Sequence, residues 1–218
     1  MLAQSLNCMT AKVQTKNVTI LADILRDDVN LAVWQRSLEG SVQHFARLLL
    51  DQGHQLAETL TIETVQDESV PQAVVLPPLA LAAAGLEGYA EFIDDVTYLV
   101  NAFVCLFDVR LVGLRLRTLD IGMCPRWHVD RVPVRLITSY AGPGSQWLNE
   151  HQLPRQYLGG PPIDLQPLDV EPQSLQAGQV ALLKGERWQG NEGRGLVHRS
   201  PPLVAGERRL LLTLDWLN

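Results

Sequence analysis

Cysteine is scarce in this chain. Cys8, Cys105 and Cys124 are widely spaced and form no Cys-x-x-Cys pair, which leaves neither a disulfide framework nor a cysteine zinc knuckle to read, and a reducing, cytoplasmic setting fits that usage. Long apolar runs are missing as well: none approaches the roughly 18 residues of a membrane span. The start, MLAQSLNCMTAKVQTK, lacks the basic-then-apolar order of a secretory leader, so Leu6-Asn7-Cys8 does not read as a lipoprotein signal. Basic residues are outnumbered, 18 against 24 acidic, for a net charge of -6 and a pI near 5.3. Binding to nucleic acid or to anionic lipid rewards clustered Lys and Arg, so neither is an expected partner. No Gly-x-Ser-x-Gly elbow surrounds Ser139, Ser145 or Ser200, which gives a serine hydrolase no local support. AGPGSQW, residues 141–147, is not Gly-x-Gly-x-x-Gly and reads as a turn between strands.

What is present is a core. With 218 residues, 46% hydrophobic and 19% charged, the chain can bury one substantial interior and is expected to form a single domain over residues 1–218. Its two parts differ in period. Residues 1–107 read as mainly helical: Leu31, Trp34, Leu38, Val42, Phe45, Ala46 and Leu49 recur every three or four positions, predicting a helix with Asn30 as N-cap and Gly53 as its stop. A second helix is predicted after Pro77-Pro78, with Tyr89, Phe92, Ile93, Val96, Leu99, Val100 and Phe103 on its apolar side and Glu91, Asp94 and Asp95 on a solvated face. Residues 108–218 turn to short apolar or alternating runs broken by Gly and Pro: VRLVGLRLRTL, VPVRLITSYAG, QVALLKG, GLVHRS and RRLLLTLDWL. These are strand signals. Pro143 to Pro172 shows little periodicity and reads as a long loop of the kind that borders functional sites. The fold class is therefore α+β with a mainly β core.

One stretch of the β half carries chemistry. In CPRWHVDRVPV, residues 124–134, strand alternation sends His128 and Asp130 to one side and Trp127 and Val129 to the other. An imidazole nitrogen and a carboxylate oxygen suit Fe, Mn or Zn. His198, in the later run GLVHRS, completes two histidines and one carboxylate in the order of a facial triad, a set that leaves coordination positions open. Arg208 follows ten positions on, and Arg209 beside it points to the opposite face, so only one of the two guanidinium forks can serve a carboxylate in the site. Cys124, four positions before His128, is a soft group that would favour zinc if it joined as an extra ligand. His44, His54 and His151 read as surface or packing histidines.

The run QAGQVALLKGERW...GLVHRSPPLVAGERRLLLTLDW resembles the closing strands of Fe(II)/2-oxoglutarate-dependent dioxygenases. That resemblance implies a double-stranded β-helix, a jelly-roll or cupin-like shape, with the N-terminal helices packed on its outside. It also implies His128, Asp130 and His198 as metal ligands and Fe(II) with 2-oxoglutarate as cofactors. Arg208 is then the cosubstrate arginine, with Arg209 as the alternative, and the Tyr140 hydroxyl serves a carboxylate. More closely, ILADILRDDVNLAVWQR and CPRWHVDRVPVRLITSYAGPGSQWL resemble the bacterial domain of unknown function 1826 family over most of the chain. Members of that family tend to be encoded near zinc-responsive genes. The functions left open are an oxidoreductase, a non-redox zinc protein involved in metal homeostasis, and a degenerate scaffold used only for protein contacts, and no substrate is named.

Overall fold

The C-terminal run RLLLTLDWL is buried at both its odd and its even positions over Arg209–Asp215. A strand with that pattern must be covered on both faces. In the computed structural model, which describes residues 10–64, 73–160 and 171–217, it lies inside a seven-stranded sheet. The order across that sheet is β1 (Ala11–Thr15), β2 (Val29–Trp34), β8 (Val180–Lys184), β5 (Val134–Ala141), β10 (Arg209–Leu217), β4 (Leu111–Leu119) and β3 (Ala57–Glu63). The β1–β2 pair is parallel and all other neighbours are antiparallel. A second, three-stranded antiparallel sheet runs β7 (Gln173–Ser174), β6 (Gln146–Trp147), β9 (His198–Arg199).

The two faces of the large sheet meet different partners. Leu210, Leu212 and Leu214 of β10, with Leu136 and Tyr140 of β5, pack on helices α1 (Gly40–Asp51) and α3 (Tyr89–Phe107) through Phe45, Leu49, Phe92, Val96 and Phe103. Phe92 lies 4.6 Å from the Tyr140 ring and 4.9 Å from Phe45, centroid to centroid. On the other face Leu31, Val33, Ile137, Ala181, Leu183 and Leu211 form a second core with Leu175, Leu196 and Trp147 from the small sheet and its flanks. The site is built in this inter-sheet space. A helix α2 (Pro77–Ala83), a 3-10 helix at Val18–Leu25 and a 3-10 turn at Arg155–Tyr157 complete the elements. Among the described residues no helix is long and apolar enough to cross a membrane.

The predicted C-terminal strands appear as β4, β5, β8, β9 and β10. The N-terminal part differs from its sequence reading. Although helices outweigh strands there, β1, β2 and β3 all join the large sheet, so this part supplies sheet as well as cover. Asn30 is no N-cap: it sits in β2, fully buried, its side-chain amide donating to the Arg194 carbonyl. VNLAVW is buried on both faces, and spacings of three and four arise in such a run without any helix. The helix begins only at Gly40, although Gly53, at φ 77°, does follow its end. The second predicted helix is divided by Gly88 at φ 85°, where a Cβ would collide with the Ser41 carbonyl oxygen. In the long loop, Gln146–Trp147 is the middle strand of the small sheet, while residues 161–170 and Cys8 lie outside the described residues.

Asp95 is not on a solvated face either. Its carboxylate takes both Arg36 Nη atoms, at 2.5 and 2.9 Å, and the Tyr140 hydroxyl at 2.6 Å. This pins α3 to the sheet, and burial followed by the Asp95 charge pushes the Tyr140 hydroxyl pKa well up. Tyr140→Phe removes one buried hydrogen bond to a charged acceptor, so equilibrium urea unfolding is expected to show a loss of about 1–3 kcal/mol with an unchanged m value.

Candidate metal centre

Pro125 and Pro133 flank the His-x-Asp stretch and contribute no backbone N–H to a ladder. The predicted strand accordingly shrinks to a single bridge at His128, followed by irregular, bent backbone up to β5. That bridge pairs His128 with His198: each backbone N–H donates to the other's carbonyl at 3.0 Å. Their rings lie 4.5 Å apart. The opposite side of the segment matches the alternation read from sequence, with Trp127 and Val129 packed in a separate apolar cluster with Leu148, Leu153 and Val197.

The backbone also orients both imidazoles. His128 Nδ1 is 2.8 Å from the Arg126 carbonyl oxygen and His198 Nδ1 is 3.0 Å from that of Leu196. A carbonyl only accepts, so each Nδ1 carries a proton and each ring turns its Nε2 the other way. Both point at Asp130. His198 Nε2 is 3.3 Å from Asp130 Oδ2, and His128 Nε2 is 4.0 Å from Oδ1. Oδ2 is buried with no hydrogen-bond partner among the described residues. The ligand-type atoms of His128, Asp130 and His198 all fall within 4.8 Å of one another. Two imidazoles with one carboxylate are the donor set of Fe(II) or Zn(II) sites.

Asp130 is held from behind. Arg135 Nη1 donates to its Oδ1 at 2.6 Å, while Arg135 Nε and Nη2 donate to Asp215 at 2.6 and 3.0 Å. Arg115 Nη1 adds a contact to Asp215 Oδ2 at 2.5 Å. Burial alone would raise the Asp130 carboxyl pKa; the charge and proximity of His198, then Arg135 and His128, outweigh it and hold the group well below the usual carboxylate range. Burial, then the neighbouring His198, lowers the His128 pKa. Both shifts favour the deprotonated forms that bind metal.

Other residues singled out from sequence lie elsewhere. Arg208 precedes β10 and turns to the helical side, where its guanidinium donates to the Leu50 and His54 carbonyls. Strand alternation puts its neighbour on the inner face: Arg209 is fully buried there, with Nη2 2.9 Å from Ser139 Oγ and 3.3 Å from Ser145 Oγ. Tyr140 likewise faces the helices and is engaged with Asp95. Cys124 is exposed and outside the three-residue cluster. Arg135 and Asp215 were not singled out by motif. The signal available was a charged residue at an inward position of a strand otherwise buried on both faces, which demands a buried partner.

Comparison with known proteins adds three observations. A family model described as "Protein of unknown function (DUF1826)" matches residues 15–215. No curated protein matches the chain in sequence. Among solved structures, the dioxygenase for auxin oxidation 1 from Arabidopsis thaliana, as its 2-oxoglutarate complex, superposes with a TM-score of 0.50 at 11% identity, covering 96% of this chain and 93% of that one. A Pseudomonas putida prolyl-4-hydroxylase gives a TM-score of 0.42 at 14% identity over 91% and 92% of the two chains. A prolyl 4-hydroxylase from Phytophthora capsici gives 0.47 at 15% over 89% and 60%. The first of these shows a dioxygenase-like fold: mostly β, with a large mixed sheet and packed helices.

Because its pKa is depressed on folding, Asp130 contributes stability that is complete above its unfolded value near 4 and lost as the pH falls below it. The urea midpoint of metal-free protein should therefore drop between about pH 4 and 2, and by less in Asp130→Asn. Arg135→Gln leaves Asp215 and Asp130 partly unpaired and should cost about 3–5 kcal/mol at neutral pH.

Proposed function

The chain belongs to the DUF1826 family of unknown function, and we propose that it is an Fe(II)/2-oxoglutarate-dependent oxygenase with a double-stranded β-helix core. The observation that carries this reading is the convergence of His128 Nε2, His198 Nε2 and Asp130 Oδ2 on one point, with Oδ2 buried and without a donor. Those three side chains would hold the metal. Three protein ligands leave coordination positions open for a chelating cosubstrate and dioxygen. Fe(II) with 2-oxoglutarate supplies oxidative decarboxylation, whose oxidising equivalents are delivered to a substrate C–H bond.

Arg209 takes the role first assigned to Arg208. Its guanidinium is fully buried, and Nε and Nη1 have no partner among the described residues. Burial pushes its pKa down to about 10, which still leaves it charged at neutral pH. A buried cation that meets only two serine hydroxyls lacks its counter-anion, and a planar fork suits a carboxylate bidentately. Its place is also right. Ser145, which it touches, lies two residues before Trp147, the register partner of His198. Ser145 and His198 are thus diagonal neighbours across the β6–β9 pair, which puts Arg209 on the side of the sheet that faces the three-residue cluster. Leu196, Leu211 and Trp147 line this interior and keep water from the reacting centre.

Anaerobic addition of Fe(II) and 2-oxoglutarate to metal-free protein is expected to produce a visible charge-transfer band, absent in His128→Ala. Arg209→Gln should weaken 2-oxoglutarate binding by about 100-fold or more, since it strips a buried carboxylate of its charged partner, whereas Arg208→Gln should leave it unchanged. No band, with no succinate formed in air, would overturn the oxygenase reading. Stoichiometric zinc that iron cannot replace with gain of turnover would favour the non-redox alternative.

A further inference from the structure

We infer that the substrate of this site, if the oxygenase reading holds, is an anion whose carboxylate or phosphate group docks on Arg117. The inner face of the large sheet carries four arginines. Arg115 and Arg117 of β4 alternate with Leu114 and Leu116, which belong to the helix-side core. Arg117 is the register partner of Leu211 in β10, a residue of the inter-sheet core, so it shares a face with Arg209 and Arg135. Among the described residues only Asp130 and Asp215 answer these charges, and both are bonded to Arg135, with Arg115 also on Asp215. Two guanidinium groups are left over. Arg117 Nε is buried without a hydrogen-bond partner among the described residues, as are Nε and Nη1 of Arg209. This surplus of positive charge stands in a chain whose net charge is -6.

The two leftover cations differ in access. Arg209 is fully buried in the interior, with the serines around it. Arg117 is only partly buried and lies one strand nearer the sheet edge, beside β3. Its register partner there, Ala57, is exposed, and so is Thr59 opposite Arg115, so the inter-sheet space opens to solvent on this side. From Leu211 to Arg209 is two residues, which makes Arg117 and Arg209 diagonal neighbours about 7–8 Å apart. A deep cation for the cosubstrate and a second one at the opening give two anion positions in series, the outer one reachable after the inner is filled. A guanidinium fork with a free, dry Nε–H is suited to an oxyanion and not to a neutral group, which could not offset its desolvation.

The experiment is titration of the full metal-free chain with inorganic phosphate and separately with acetate, followed by calorimetry and by the arginine Nε–H resonances, with and without saturating 2-oxoglutarate. Saturable binding of at least one probe that shifts the Arg117 signal is expected to weaken at least tenfold in Arg117→Gln, to recover in part in Arg117→Lys, and to persist in Arg209→Gln. Binding that is unaffected by Arg117→Gln, or that 2-oxoglutarate displaces and Arg209→Gln abolishes, would overturn the assignment. Thermal unfolding of each variant separates lost binding from lost fold. Failure of the oxygenase reading would show independently, as a missing charge-transfer band in protein that still binds phosphate at Arg117.

Discussion

Everything in the site hangs on the reciprocal backbone pair between His128 and His198. These residues are 70 positions apart in the chain, and two hydrogen bonds of 3.0 Å bring their Cα atoms face to face. Each imidazole then donates its Nδ1 proton to a carbonyl of its own strand, two residues back. The main chain thus sets the position, tautomer and direction of both rings before any ligand arrives. Side chains alone would leave each ring free to rotate, and ordering it on binding would subtract from affinity. A site preorganised in this way is what a metal centre needs to hold an ion while keeping positions open.

The second constraint is charge. Asp130, Arg135, Asp215 and Arg115 form a chain of ion pairs that runs from the loop carrying Asp130 into the central strands of the sheet. With one oxygen of Asp130 bonded to Arg135, the other is left as a single, anionic donor. The same bonds tie the loop, which has almost no ladder of its own, to the most deeply buried part of the sheet. Such a pair contributes little net stability over an apolar alternative, yet removing either partner strands a buried charge. Its value here is the aim of one carboxylate oxygen. Beyond this balanced set, Arg209 Nε and Nη1 and Arg117 Nε are buried without a hydrogen-bond partner among the described residues.

The neighbouring arginines show where local reasoning stops. Alternation along β10 requires that Arg208 and Arg209 face opposite ways, and that much was legible. Which of the two faces inward depends on how β10 registers with β4 and β5, and register is set by the pairing of distant strands. Tyr140 repeats the lesson. It is one residue from Ser139, which does touch Arg209, but parity sends its ring to Phe92 and its hydroxyl to Asp95. The N-terminal strands are hidden in the sequence for a related reason. VNLAVW is buried on both faces between β1 and β8, and a doubly buried strand carries no period of two to betray it.

By itself, the sequence determined that the chain is acidic, without a metal-binding cysteine pair, with a β-rich second half in which β4, β5, β8, β9 and β10 lie in the runs between Gly and Pro. It also made His128, Asp130 and His198 legible as a candidate set, because His-x-Asp on an extended segment sends both side chains to one side and His198 lies in a later strand run. The tertiary structure alone decided which arginine reaches the interior, that Cys124 stays outside, and that Arg135 and Asp215 stand behind Asp130. The reason is physical: side-chain direction within a strand is local, whereas which face is inside, and which charge meets which across two sheets, is settled only by long-range pairing and by what each face is packed against.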